Sequence, residues 1–402
     1  MKVLFILNEF PKLSETFILN QITGLIDSGI EVNILAAHNP NEIVQNKDIT
    51  KYKLLDNNLF FYDLYKDSLL KRFNHCLYNL FQVESKYYIK LLEPIKLKSL
   101  RDFLFLIKYL QIKNNFDIVH SHYGSNGIMG SRIMDWLNIN TKHFVSFYGY
   151  DLGSFLKNIG INNYRELSNY DLLLPICSFF QSKLVNIGFD NNKIKIHKIG
   201  INIDNFQFRI KKTEKEIILL TVARFVEKKG IQYGLEALSR LIKNKGITNI
   251  KYNIIGSGIL FNKYKIMIKK LNIQNHVHFL GEMPNDEIYK YLNESDIFLL
   301  PSVTSDDGDI EGTPIVIMEA MASGVPVVSS YHSGIPELID NKVSGMLTNE
   351  KNVDELTDAL FKLITDNNLK ETISINARKK IETEHDIKKL NNELIDIYHN
   401  TK

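Results

Sequence analysis

The sequence predicts an α/β protein of two halves, each a parallel sheet wrapped by helices. Three observations lead there. At 402 residues the chain is too long for one ordinary core. Short apolar runs alternate with stretches of helical periodicity from the first residues onward. That alternation breaks after Asn202 and restarts more cleanly, with a short basic stretch at 208–216 that reads as a linker.

The elements follow in order. Residues 3–7 (VLFIL) are an apolar run of buried-strand length. Residues 14–28 place Phe17, Ile18, Ile22, Leu25 and Ile26 at helical spacing, and Gly29 suits the position just past a helix end. Residues 30–36 give the next strand, so the chain opens on a βαβ unit. Between 40 and 115 the pattern is irregular. Further strands are expected at 116–120, 143–147, 171–176 and 194–197. In the second half, strands at 217–222, 252–255, 277–280, 297–300 and 325–329 alternate with helices. The first of these helices is marked by Ile231, Leu235, Leu238 and Leu241; the others cover 261–271, 287–292 and 314–323. Ile387, Leu390, Leu394 and Ile397 add a last amphipathic helix. In such sheets ligands sit at the carboxyl ends of strands, beside helix N-termini.

Composition narrows the class. With 44% hydrophobic and 24% charged residues the chain is globular. A net charge of +3 gives no reason to expect a nucleic-acid partner. Two distant cysteines, Cys76 and Cys177, make neither a disulfide framework nor a zinc site and fit a reducing cytoplasm. The apolar run after Met1-Lys2 is too short for a signal-peptide core. No run approaches the roughly 18–20 apolar residues of a spanning helix. Any membrane contact is therefore expected to be peripheral. Residues 61–113 carry ten Lys or Arg against five Asp or Glu, interleaved with Phe, Tyr and Leu. That suits a surface resting on anionic lipid, and equally a solvated helical face over core.

The chemistry concentrates between 224 and 319. Arg224 and Lys229 follow the strand 217–222 directly, where fixed cations would stabilise a departing diphosphate. Thr313-Pro314 is a helix-start signature, Thr as N-cap and Pro at the first helical position. Gly312 before it lets backbone approach a ligand, and the free amides of a helix start, Ile315 included, attract phosphate. Glu311 lies at the mouth of that helix and Glu319 nearly two turns inside it. We read them as separate acceptors for hydroxyl groups, Glu311 for a transferred sugar and Glu319 for a ribose. Glu319 reads equally as a buried carboxylate capping a neighbour. Gly256 and Gly258 follow a strand and suit phosphate or base. A dinucleotide fingerprint would need a third Gly where Phe261 stands, and Gly124, Gly127 and Gly130 are wrongly spaced for one. A nicotinamide dehydrogenase is thereby disfavoured. Asp306, Asp307 and Asp309 would suit Mg²⁺ or Mn²⁺, but a solvated acidic turn without metal is the expectation. In the first half, His120 and His122 end a strand and read as a polar wall; Tyr148 and Asp151 follow another strand and are expected at the same edge.

These residues resemble a known family. Glu311–Ser323 (EGTPIVIMEAMAS) is similar to the E-x7-E signature of the retaining glycosyltransferases of family 4, the "group 1" class, and 223–230 is similar to their R-x4-K-G. The opening run 10–18 (FPKLSETFI) and 301–312 (PSVTSDDGDIEG) resemble the branch that builds colanic acid and other bacterial exopolysaccharides. The resemblance runs to about residue 390. It implies the GT-B fold: two Rossmann-like domains facing each other across a cleft, the first (1–207) binding acceptor, the second (208–380) binding donor, and a C-terminal helix (381–402) crossing back. It implies transfer from a UDP- or GDP-linked sugar to a lipid-linked or oligosaccharide acceptor at the inner face of the membrane, with retained configuration and no metal or other cofactor. The leaving phosphate would itself take the acceptor's proton. Arg224 and Lys229 would hold the diphosphate, Glu311 the sugar, Glu319 the ribose, and the 312–315 backbone the phosphate. Two departures stand out. Tyr148 replaces a family His, and the N-terminal Gly-Gly loop is missing, leaving Ser14, Glu15 and Thr16 at a helix start to serve instead. A nucleotide-sugar epimerase on the same fold and a non-catalytic sugar-nucleotide-binding partner are the competing readings.

Overall fold

The computed structural model describes residues 1–12, 15–40, 47–56, 59–62, 78, 80–81, 83, 100–112, 115–137, 141–210 and 216–401. Ser14 and most of the basic segment 61–113 lie outside the described residues. The chain forms two compact units. The first comprises Met1–Pro175, Gln181–His197 and Asn391–Lys402; the second comprises Ile176–Phe180 and Lys198–Leu390.

The first unit holds a six-stranded parallel sheet of β1 (Lys2–Glu9), β2 (Glu31–His38), β3 (Leu59–Phe61), β4 (Ile118–His122), β5 (Lys142–Phe147) and β6 (Leu172–Pro175), in the order β3-β2-β1-β4-β5-β6. Strands such as Val3–Leu7 are apolar at every position because both faces are covered. The helices include α1 (Thr16–Asp27), α2 (Leu100–Gln111) and α3 (Gly124–Leu137). The ill-spaced glycines of α3 have a packing reason. A Cβ on Gly124, Gly127 or Gly130 would meet Tyr164 at 2.0 Å, Val145 at 2.6 Å or Ser121 at 3.1 Å. They form the face that lets the helix lie close against its neighbours.

The second unit repeats the plan with β7 (Ile217–Val222), β8 (Ile250–Ile255), β9 (Val277–Gly281), β10 (Ile297–Leu300), β11 (Val327–Ser330) and β12 (Met346–Thr348), ordered β12-β11-β10-β7-β8-β9. Counted from its own first strand this is the same order as in the first unit. Its helices include α4 (Ile231–Lys245), α5 (Phe261–Lys270), α6 (Asn285–Glu294), α7 (Ile315–Ser323), α8 (Val353–Thr365) and α9 (Asn367–Glu384). A core of Leu219, Leu235, Leu238, Tyr252, Ile254, Leu299 and Leu360 lies between this sheet and its helices. The last helix, α10 (Ile387–Asn400), joins the first unit from Asn391 onward. There Asn391 Nδ2 donates to Asn20 O at 3.1 Å and Tyr398 OH meets His120 Nδ1 at 2.5 Å.

Two readings are corrected. Residues 194–197 are not a strand: only Ile194 bridges, to Leu173. His197 N–H donates to Pro175 O at 3.0 Å, but Pro175 has no N–H to return the bond, so the ladder stops. The irregular middle contains the edge strand β3 and helix α2. In α2 the consecutive Leu104, Phe105, Leu106 and Ile107 are all buried, while Arg101, Lys108 and Gln111 are only partly so. Of the expected linker, 211–215 lie outside the described residues, and Arg209 N–H already donates to Ser323 O at 3.1 Å.

Candidate active site

In each sheet the strand order reverses between two neighbours, β1 and β4 in the first unit, β7 and β10 in the second. Such switch points are where doubly wound sheets bind ligands. In the second unit the chain after β7 carries Arg224 and Lys229, and the chain after β10 carries Glu311 and leads into α7. The four residues singled out from sequence are thus brought to one switch point.

Lys229 Nζ and the Glu311 carboxylate form an ion pair, both side chains largely buried. Burial pushes Glu311 up, but the Lys229 and Lys228 charges outweigh it and hold the carboxyl at about 2. At Lys229 burial and the charges of Lys228 and Arg224 oppose the ammonium while Glu311 favours it. Arg224 itself is exposed, a cation kept at the surface within electrostatic reach of the pair.

Glycines fix this loop. Gly230 has φ +64 and a Cβ there would lie 1.8 Å from Pro301 O. Gly256 has φ +126 and a Cβ would lie 2.0 Å from Ala223 O. Phe225 N–H donates to Ser257 O at 2.6 Å. Gly256 and Gly258 therefore seat the 223–225 backbone that presents Arg224, a role the sequence did not suggest.

Helix α7 begins one residue later than expected. Pro314, at φ −67 and ψ 119, is the N-cap, and Thr313 makes no cap hydrogen bond. Thr313 Oγ1 is packed instead toward Gly334, whose Cβ would lie 3.1 Å away. Among the described residues the amides of Gly312, Thr313, Ile315 and Val316 have no acceptor. Glu319 is 8% exposed. Its carboxylate caps nothing among the described residues, and burial raises it to about 7. Its charge is felt at the Tyr289 phenol of α6.

Sequence reasoning missed the residues that hold the loop after β10. Glu350 accepts from Thr304 N at 2.9 Å. Glu227 accepts from Asp306 N at 3.1 Å. Lys228, 7% exposed, pairs with Asp309 at 2.9 Å and donates to Ile310 O at 3.3 Å. His332, 1% exposed, accepts the Glu311 N–H at 2.9 Å on Nε2 and meets Glu350 at 2.6 Å through Nδ1. The acidic turn is held at several points while Asp306 and Asp307 stay exposed to solvent, as expected: Asp307 accepts from Asp309 N at 2.9 Å while Asp309 faces Lys228. Among the described residues no group of three His, Cys, Asp or Glu is placed to hold a metal.

In the first unit Glu15 is the N-cap of α1, with Thr16 as its first residue. Glu15 pairs with Lys12 at 3.2 Å and accepts from Tyr123 OH at 3.1 Å, Tyr123 standing at φ +72 after β4. Burial raises Glu15 despite Lys12. The other candidates here are corrected. His122 is fully buried, stacked on His120 with centroids 4.4 Å apart, and bonded to Tyr148 OH at 2.7 Å. Burial holds it neutral, down to about 3. Asp151 is not a free edge residue. Its carboxylate takes the amides of Gly149 at 2.8 Å, Tyr148 at 3.2 Å and Gly124 at 3.3 Å, bracing the start of α3. Burial nonetheless raises it to about 6. No helix of the described residues is long and apolar enough to cross a membrane.

Comparison with known proteins adds three likenesses and one family. The model of the family described as "Glycosyl transferases group 1" matches residues 202–380. The chain is 33% identical over 398 residues to the amylovoran biosynthesis glycosyltransferase AmsK of Erwinia amylovora, covering 96% of each. It is 32% identical over 405 residues to the putative colanic acid biosynthesis glycosyltransferase WcaL of Escherichia coli strain K12, covering 98% of each. The crystal structure of Anabaena HepE in complex with UDP superposes with a TM-score of 0.73 at 16% identity, over 99% of each chain. That last likeness concerns the fold, two Rossmann-like halves of the GT-B kind.

Proposed function

The chain belongs to the group 1 glycosyltransferases, and from that premise we propose that it moves a hexosyl group from a UDP- or GDP-linked sugar to a lipid-linked oligosaccharide, with retained configuration and no metal. The setting we propose is surface polysaccharide synthesis at the inner face of the membrane, in line with the relatives named for amylovoran and colanic acid.

One observation carries this reading: the buried Lys229–Glu311 pair lies beside a surface cation and a helix start whose amides have no acceptor among the described residues. A diphosphate fits those amides, since they and the helix dipole favour negative charge. Arg224 and Lys229 then face the leaving group as its charge grows, which stabilises the transition state more than the ground state. Glu311, ionised well below neutrality, accepts hydroxyls of the sugar. Glu319, buried and without a partner among the described residues, accepts those of the ribose. Metal independence is supported by the bond of Asp307 to the Asp309 amide and by the pairing of the Asp309 carboxylate with Lys228. The departing phosphate takes the acceptor's proton, so no separate base is assigned.

The test is donor turnover. Lys229→Ala and Glu319→Ala should each lower sugar release or transfer, the former by about 10²–10³. The product's anomeric configuration should match the donor's, and turnover should survive chelation. Wild-type rates in both variants would remove the assignment.

A further inference from the structure

We infer that His332 is a positioning residue for Glu311, acting through the backbone of the sugar-binding loop; the inference rests on the assignment of Glu311 to the sugar. His332 follows β11 by two residues, in a turn where Ser333 stands at φ +48. Its Nε2 is 2.9 Å from the Glu311 amide nitrogen. An amide can only donate, so Nε2 must be the unprotonated nitrogen. The ring hydrogen is then on Nδ1, aimed at Glu350 Oε1 at 2.6 Å. Glu350 also accepts from Thr304 N at 2.9 Å. The chain Thr304–Glu350–His332–Glu311 thus ties the beginning of the loop after β10 to Glu311 near its end.

The tie matters because Glu311 is the residue whose carboxylate meets Lys229. Its backbone is fixed on one side by His332 and, one residue earlier, by Lys228 on Ile310 O. With His332 removed, the buried Glu311 amide loses its acceptor and the loop end is free to shift. A misplaced carboxylate weakens contact with the sugar, while the amides at the start of α7 and the Arg224 cation remain for the diphosphate. A glutamine carries one acceptor and one donor on a single carbon, as the ring carries its two nitrogens on Cε1, and replaces both ring contacts; a leucine replaces neither.

Affinity of the full chain should be measured by calorimetry for UDP, GDP, UDP-glucose, UDP-galactose and GDP-mannose. The hexose nucleotide that binds wild type more tightly than its free nucleotide is then used. His332→Leu should lose about tenfold or more of affinity for that nucleotide sugar and keep its affinity for the free nucleotide. His332→Gln should restore most of the loss. Ring ¹⁵N shifts of wild-type His332 should show Nε2 unprotonated. The inference is overturned if both variants lose sugar affinity alike, if His332→Leu loses nucleotide and sugar nucleotide equally, or if Nε2 carries the hydrogen. A wild type that distinguishes no sugar nucleotide from its nucleotide would instead remove the sugar role of Glu311, and this inference with it.

Discussion

The two glutamates of one motif are held in opposite ways. Glu311, beside two lysines, is pushed down to about 2. Glu319, buried with no partner among the described residues, is pushed up to about 7. A carboxyl near 4.3 in the unfolded chain that rises on folding stabilises the protein fully below that pH, and its contribution is lost as pH rises through 7. A carboxyl that falls on folding stabilises it above the unfolded value, and that contribution is lost as pH falls toward 2. Glu319→Gln should therefore flatten the decline in stability between pH 4.5 and 7, an effect of about 3 kcal/mol at most. Urea unfolding across that range checks it; an unchanged slope would show that Glu319 is not buried unpaired. Such an ionisable group is tolerable if a ligand later supplies its partner, which is the role proposed for a ribose.

At the scale of elements, the site is built from loops locked by glycine. Gly230 combines a left-handed backbone with a Cβ position 1.8 Å from Pro301 O. Gly230→Ala should cost at least about 2 kcal/mol and separate the loops after β7 and β10. A melting curve with donor turnover on the same sample measures both; a variant as stable and active as wild type would contradict the packing described. These loops also show what was legible. Arg224, Lys229, Glu311 and Glu319 could be read because charged residues stood directly after apolar runs at telling spacings. Their supports could not: Glu350 and His332 reach the loop from later strands, and neither has a local pattern to mark it. Thr313-Pro314 carried the right signature one residue out of place, because Thr313 packs toward the 332–334 turn instead of capping α7.

For the whole molecule, alternation of strands and helices predicted two parallel sheets, and both share one strand order. Periodicity left α2 unread, and no element was assigned between 330 and 386, where β12, α8 and α9 lie. It also failed to tell core from edge in the first unit, where His122 and Asp151 follow the expected strands but turn into the protein. A tertiary contact decides those cases, and a single sequence does not display it. The central claim is that the diphosphate of a sugar nucleotide rests on the opening of α7 between the two loops. A crystal structure of the protein with a bound nucleotide diphosphate tests it most directly. Phosphate oxygens are expected within hydrogen-bond reach of the amides of Gly312, Thr313, Ile315 or Val316 and of Arg224 or Lys229, with the ribose on Glu319. A diphosphate bound at any other strand edge of the second unit would contradict it.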